Sequence, residues 1–218
     1  MVEHPIAIVV AARPYPGETV NGDAWQVDWD GDICRIAVVD GLGHGPLAAA
    51  AALAATTHLA DHPGRDPAAA VQGCHEALTG IRGAALLVAR IDVGSGQLTF
   101  AGVGNVEAQL WQNGRTQHLA SDRCIIGSVL PRVRPVTVTL DANWLLLMYT
   151  DGIRNRFDLG ALRETATDGR GCAEALLDGW SRPTDDATIL VAQPREGSRR
   201  ASTSRTRVSR RSRHRSSG

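Results

Sequence analysis

Residues Ile33–Ala60 read ICRIAVVDGLGHGPLAAAAALAATTHLA. An apolar run of buried-strand character ends on a carboxylate, Asp40. Three glycines at alternate positions follow (Gly41, Gly43 and Gly45), and Pro46 then opens an alanine-rich run to Asp61. Proline suits a first helical turn, where its missing N–H has no partner to lose, and His62-Pro63-Gly64 is a stop signal. The stretch is therefore a strand, a tight turn and a helix. Just upstream, DAWQVDW alternates polar and apolar residues, and Asp30–Gly31 is a hairpin turn signal. Pairing Asp23–Trp29 with Ile33–Val39 puts Asp23, which opens one strand, at the same end as Asp40, which closes the other.

Working outward, Ile6–Ala12 reads as a buried strand, followed by a Pro- and Gly-rich loop. Asp66 and Pro67 begin a second helix. From Gly83 the period changes to two: GAALLVARIDV and QLTFAGVG form one hairpin around GSG, and NVEAQLWQ and RTQHLA form another around Asn113–Gly114. Residues 121–134 read as an irregular loop. PVTVTL and WLLLMYT are two more strands, helices are expected over 158–168 and 170–180, and Ala187–Gln193 is a final strand. Mostly antiparallel strands with segregated helices make this an α+β fold rather than a doubly wound parallel sheet.

Hydrophobic residues make up 43% of the 218, enough for one domain with a sizeable core. The formal charge of zero hides a split. Residues 1–194 hold 14 Arg against 22 Asp and Glu, a net of −8, while residues 195–218 hold nine Arg against one Glu, a net of +8. That segment has one apolar residue larger than alanine, Val208, so it lacks the apolar surface to offset its ordering entropy and reads as a disordered Arg/Ser-rich tail. A solvated tail and a contact with nucleic acid or an acidic partner are its two readings. The four cysteines form no CxxC pair, which excludes a zinc knuckle or a dithiol redox motif. The N-terminus has no basic region before its short apolar run, and no apolar run is long enough to span a bilayer. A reduced cytoplasmic setting with no membrane contact is expected.

Four places border an apolar strand with aspartate: NGDAW (Asp23), VVDGLGHG (Asp40), YTDGI (Asp151) and PTDDATI (Asp185, Asp186). One such aspartate is an ordinary turn former or helix cap. Several beside buried strands are costly without compensation, and oxygen donors without His or Cys favour Mg²⁺ or Mn²⁺ over zinc. Two such metals about 4 Å apart share a water of lowered pKa and clamp both oxygens of a phosphoryl transfer. Asp40 then stands where it can bridge them, with Gly41, Gly43 and Gly45 allowing close backbone approach. The rival reading of GLGHG is a nucleotide-binding loop. The spacing is GxGxG, not GxGxxG, and an aspartate immediately before it would repel a pyrophosphate.

Taken in order, NGDAW, VVDGLGHG, RGAALLVARID…LTFAGVGNVEAQLW, MYTDGI and TDDATILVA resemble the metal-dependent PPM-type (protein phosphatase 2C-like) serine/threonine phosphatases. Within these, the chain is similar to the bacterial subgroup related to the sporulation phosphatase SpoIIE, and there to RsbX-type stressosome phosphatases. The resemblance covers about residues 5–194. It implies a four-layer α-β-β-α sandwich of two antiparallel sheets flanked by helices, with a phosphatase domain over 1–194. It implies two Mn²⁺ or Mg²⁺ ions, with Asp40 bridging them, the Gly41 carbonyl on one, Asp151 and Asp185 on the other, and Asp23 on a metal directly or through water. Asp186 is the alternative to Asp185; the first of the pair matches the family's ligand position. The implied activity is hydrolysis of phosphoserine or phosphothreonine, on a phosphorylated STAS-domain protein of anti-anti-sigma or stressosome type, by a monomer. The alternatives are a non-catalytic regulatory module of the same fold and a hydrolase of small phosphoesters.

Two departures bear on the site. Eukaryotic members carry Glu before the first aspartate, where this chain has Gly22, and the flap of larger members is absent, and with it a third metal site. Two further residues have double readings. His44 is either a proton donor to the leaving serine oxygen or a solvent-facing loop residue. Arg13 is either a phosphate-gripping cation or a surface arginine.

Overall fold

Apart from Arg35, the run at Ile33–Val39 is apolar because it is covered on both faces. In the computed structural model the strand extends over Ile33–Gly41 (β3, after β1 at Ile6–Arg13 and β2 at Asp23–Asp30). Cys34, Ile36 and Val38 face one core while Ala37 and Val39 face another. Alternation still operates, but both sides are dry, so the polar half of the pattern is missing. The structure describes residues 3–64, 66–128, 130, 132–166 and 168–195. The expected tail lies outside these residues beyond Arg195.

Two five-stranded antiparallel sheets form the centre. One has the order β2-β3-β4-β5-β8, adding Ala84–Asp92 (β4), Gln97–Val103 (β5) and Val136–Thr139 (β8). The other runs β1-β10-β9-β6-β7, with Glu107–Gln112 (β6), Arg115–Leu119 (β7), Leu145–Tyr149 (β9) and Ala187–Pro194 (β10). Their inner faces meet through Ile36, Val38, Leu87, Leu110, Leu146 and Leu190. Helices α1 (Gly45–Asp61) and α2 (Pro67–Ala77) cover the first sheet through Ala51, Ala52, Ala55, Leu59 and Val71. Helices α3 (Leu159–Thr165) and α4 (Gly169–Trp180) cover the second through Leu159, Cys172, Ala173 and Leu176. This is the expected four-layer α-β-β-α sandwich. No helix among the described residues is long and apolar enough to cross a membrane.

Several local expectations meet their physical causes. Asp66 accepts the N–H groups of Ala68 and Ala69, capping α2. The third helix stops short of residue 168 because Asp168 caps α4 instead, accepting the Gly171 N–H. The one charged residue buried in β3, Arg35, is 3% exposed and fully employed. It pairs with Asp28 at 2.6 Å and donates to the carbonyls of Leu59 and His62 at the end of α1, where a cation also suits the helix dipole. Trp25, on the edge strand β2, is 43% exposed. Trp29 packs against the inter-sheet core and stacks on His4.

Candidate metal centre

Asp23 and Asp40 are direct cross-strand partners at one end of the β2–β3 hairpin. The other sheet brings its own acids to the same mouth of the sandwich: Asp151 follows β9, and Asp185 and Asp186 precede β10, its antiparallel neighbour. The two sheets are tied together here. Thr150 donates its hydroxyl to Oδ2 of Asp23 at 2.8 Å and receives the Thr188 N–H at 3.0 Å. Asn105, in the turn between β5 and β6, donates to Oδ2 of Asp151 at 2.6 Å. Asn21 adds contacts to the Asp23 N–H and to the Thr188 hydroxyl.

The electrostatics of this cluster are uncompensated. Burial lifts the Asp23 carboxyl to about 7, with Asp186 and Asp185 adding to the rise against the hydrogen bonds from Thr150 and Thr188. Burial lifts Asp40 to about 8, helped by Asp23, Asp151 and Asp185, with only Asn105 opposing. Asp185 is also raised, by desolvation first and then by Asp151. No arginine or histidine is among the leading causes of these three shifts. Asp186 is 3% exposed; its Oδ1 accepts the Tyr15 N–H at 2.8 Å, and its Oδ2 is buried with no hydrogen-bond partner. A buried carboxylate oxygen left unpaired calls for a reason.

A divalent cation supplies one. The donors are all oxygens, as Mg²⁺ and Mn²⁺ prefer. No group of three or more His, Cys, Asp or Glu side chains among the described residues is arranged to hold an ion by itself. Magnesium asks for less: one or two carboxylates, with water and phosphate completing the octahedron. The residues present fit such an ion.

Two glycines make the arrangement possible. A Cβ on Gly41 would lie 2.1 Å from the Ala48 carbonyl oxygen, so only glycine lets α1 start this close to the end of β3. A Cβ on Gly22 would meet Oδ2 of Asp186 at 2.6 Å. The space beside Gly22 is thus taken by an acid arriving from the opposite sheet.

The structure brings Asp23, Asp40, Gly41, Asp151, Asp185 and Asp186 to one place, and gives the other two nominated residues contacts with protein groups outside that set. Nδ1 of His44 lies 3.0 Å from Oε1 of Glu18, and its half-exposed ring stacks on Tyr15 at 4.2 Å. Arg13 spends its donors on protein: Nε on the Ser181 hydroxyl, Nη1 on the Pro14 carbonyl and Nη2 on the Arg182 carbonyl. Through Ser181 and Arg182 it ties the end of β1 to the segment before Asp185, with two of its five N–H groups left over. Sequence reading assigned no role to Asn105, Thr150 or Thr188. Asn105 stood in the quoted VGNV and Thr150 in YTDG, but an amide or hydroxyl carries no signal of its own until its carboxylate partner is known.

A family model described as Stage II sporulation protein E (SpoIIE) matches residues 30–195. The chain is 25% identical over 178 residues to the phosphoserine phosphatase RsbX of Bacillus subtilis (strain 168), covering 81% of this chain and 89% of that protein. A solved chain from "The bacterial stressosome: a modular system that has been adapted to control secondary messenger signaling" superposes with a TM-score of 0.81 at 26% identity, covering 86% of this chain and 98% of that one. The crystal structure of RsbX in complex with magnesium shares the fold, with a TM-score of 0.81 at 22% identity over 89% of this chain and 98% of that one. With more than half of its length matched and the same sandwich underneath, the chain belongs to the SpoIIE family.

Proposed function

We propose that this protein is a Mg²⁺- or Mn²⁺-dependent phosphatase that hydrolyses phosphoserine or phosphothreonine on a regulatory protein. The observation that carries the reading is the gathering of Asp23, Asp40, Asp151, Asp185 and Asp186 at one mouth of the sandwich with no cationic side chain among the leading causes of the shifts of Asp23, Asp40 and Asp185. When bound, a pair of divalent cations supplies an acidified water and positive charge for the phosphoryl oxygens.

The chain's own part is positional. Asp40, beside Asp23 in register, is the proposed shared ligand of two ions, with the Gly41 carbonyl on one. Asp151 and Asp185 are the proposed ligands of the other, and the coupling of their carboxyls supports the pairing. Thr150 holds Asp23 and Asn105 holds Asp151, so both carboxylates meet a cation already oriented. Asp186 is proposed as a more deeply set support, tied to the first loop through Tyr15. His44, held by Glu18 and Tyr15, is the proposed proton donor to the leaving oxygen. Since one chain carries the whole set, a monomer suffices.

The RsbX relative and the stressosome neighbour support a substrate among stress-response regulators. Our reading is a phosphorylated STAS-domain protein in partner-switching control of a sigma factor, in the cytoplasm, with residues 1–194 as the phosphatase domain and 195–218 as a separate basic tail. The test is hydrolysis of an aryl phosphate by the full chain with Mn²⁺, with chelator, and after Asp40→Asn. Turnover that needs metal and disappears in D40N is expected. Absence of both turnover and Mn²⁺ binding in a folded protein overturns the reading.

A further inference from the structure

A cleft lies on the β2-β3-β4-β5-β8 sheet, at residues of β5 and β8. It encloses about 370 Å³, and Phe100, Gly102, Asp122, Arg132, Arg134 and Val136 are among its lining residues. Arg132 and Arg134 are both exposed, and neither has an ion pair or side-chain hydrogen bond among the described residues. Acids are not scarce: residues 1–194 carry 22 against 14 arginines. Two guanidiniums left together on one wall repel each other and match an incoming anion. Their planar forks suit a carboxylate, which they grip with two parallel hydrogen bonds. Val136, 47% exposed, offers apolar surface for the stem of such a side chain.

The cleft and the centre share one segment of chain. Asp122 receives no cation but ties the wall in place: its N–H donates to the Gly102 carbonyl at 2.9 Å, and its carbonyl accepts from Gly104 at 2.8 Å. The next residue, Asn105, holds Asp151. From Gly102 to Asn105 is at most about 10 Å of chain. An extended substrate with its phosphoserine at the acidic centre would reach the cleft with a side chain roughly three to five positions away.

We propose that Arg132 and Arg134 form a docking subsite for a carboxylate of the protein substrate, so that phosphoserines flanked by Asp or Glu are preferred. The inference rests on the phosphatase reading above. Charge argues against the chain's own C-terminal segment as occupant, since residues 195–218 hold nine Arg and one Glu.

The experiment compares the full-length protein with R132A/R134A, both first shown to melt alike, on two phosphoserine peptides. One carries Glu three to five positions from the phosphoserine on each side; the other carries Gln there. Both proteins keep the same basic tail, so the difference between them isolates the cleft. In wild type, kcat/KM for the Glu peptide should exceed that for the Gln peptide by roughly three- to tenfold at low salt, and the ratio should shrink in 0.5 M NaCl. In the double variant the ratio should fall to about one, with R132K/R134K intermediate. A ratio near one in wild type, or an unchanged ratio in R132A/R134A, overturns the proposal. Fluorescence anisotropy of the labelled Glu peptide separates the two readings. If the folded protein neither turns over a phosphoester nor binds Mn²⁺, yet peptide binding weakens in R132A/R134A, the phosphatase reading fails and the subsite stands. Equal binding under the same conditions overturns the subsite. Self-association in sedimentation that disappears in the double variant also overturns it, in favour of a second copy as the occupant.

Discussion

The Thr150 hydroxyl reaches Oδ2 of Asp23 at 2.8 Å across 127 positions of sequence, and it is the bond that closes one sheet onto the other at the acidic mouth. The same hydroxyl accepts the Thr188 N–H, so one oxygen serves a carboxylate and a strand at once. Thr150→Val keeps the shape and removes both roles. We expect a loss of about 1–2 kcal/mol in urea unfolding and a metal affinity weakened roughly tenfold or more in calorimetric titration. An affinity equal to wild type would show that Asp23 does not depend on this support.

Asp40→Asn should separate function from stability. It removes a buried carboxylate lifted to about 8 by burial and three neighbouring acids. Turnover should be lost, while the metal-free variant at pH 8 should melt a few degrees above metal-free wild type. A variant that melts below wild type under those conditions would mean the carboxylate is compensated within the protein.

The pH dependence of the metal-free protein follows from the same groups. Unfolded, Asp23 and Asp40 ionise near 3.8; folded, they hold their protons to about 7 and about 8. Between these limits the folded chain binds more protons, so stability falls as pH rises. Melting temperature in chelator should decline from pH 5 to pH 8. Saturating Mg²⁺ or Mn²⁺ should raise it most at pH 8, where both carboxylates are free to bind. A melting temperature in chelator that climbs toward pH 8 would contradict this account.

Gly41→Ala puts a methyl group 2.1 Å from the Ala48 carbonyl oxygen, and backbone cannot swing aside as a side chain can. Either α1 or the end of β3 must move. The expected cost is about 3 kcal/mol or more, read as a shifted urea midpoint, together with loss of metal-dependent turnover because Asp40 is the adjacent residue.

Arg13→Ala distinguishes a strut from a phosphate grip. With its donors on Ser181, Pro14 and Arg182, its loss should lower stability by roughly 1–3 kcal/mol and leave KM for an aryl phosphate within about threefold. A KM raised by an order of magnitude with unchanged stability would restore the gripping role.

What the sequence by itself determined is what alternation and turn chemistry govern over ten or so residues. The Asp30–Gly31 turn set the register of one hairpin, and that register alone placed Asp23 opposite Asp40. Period-two runs identified the hairpin strands, and Asp66 with Pro67 marked a helix start. Largely apolar runs at Ile33–Val39 and Ala187–Val191, broken only by Arg35 and Thr188, signalled strands covered on both sides. The resemblance then supplied the expectation that Asp151 and Asp185 join the first two acids.

Tertiary structure decided everything that depends on one sheet meeting the other. Strand β1 pairs with β10, its partner near the far end of the fold, and β6 sits between β9 and β7. Those approaches are driven by burying inner faces such as Ile36, Leu87, Leu146 and Leu190, a force without direction that leaves no local pattern naming the partner. Only after that packing do Asn105 and Thr150 find their carboxylates, Arg13 find the 181–182 segment, and Arg132 and Arg134 line one cleft. A polar side chain acquires its role from the group it faces, and in this fold that group lies on a strand from elsewhere in the chain.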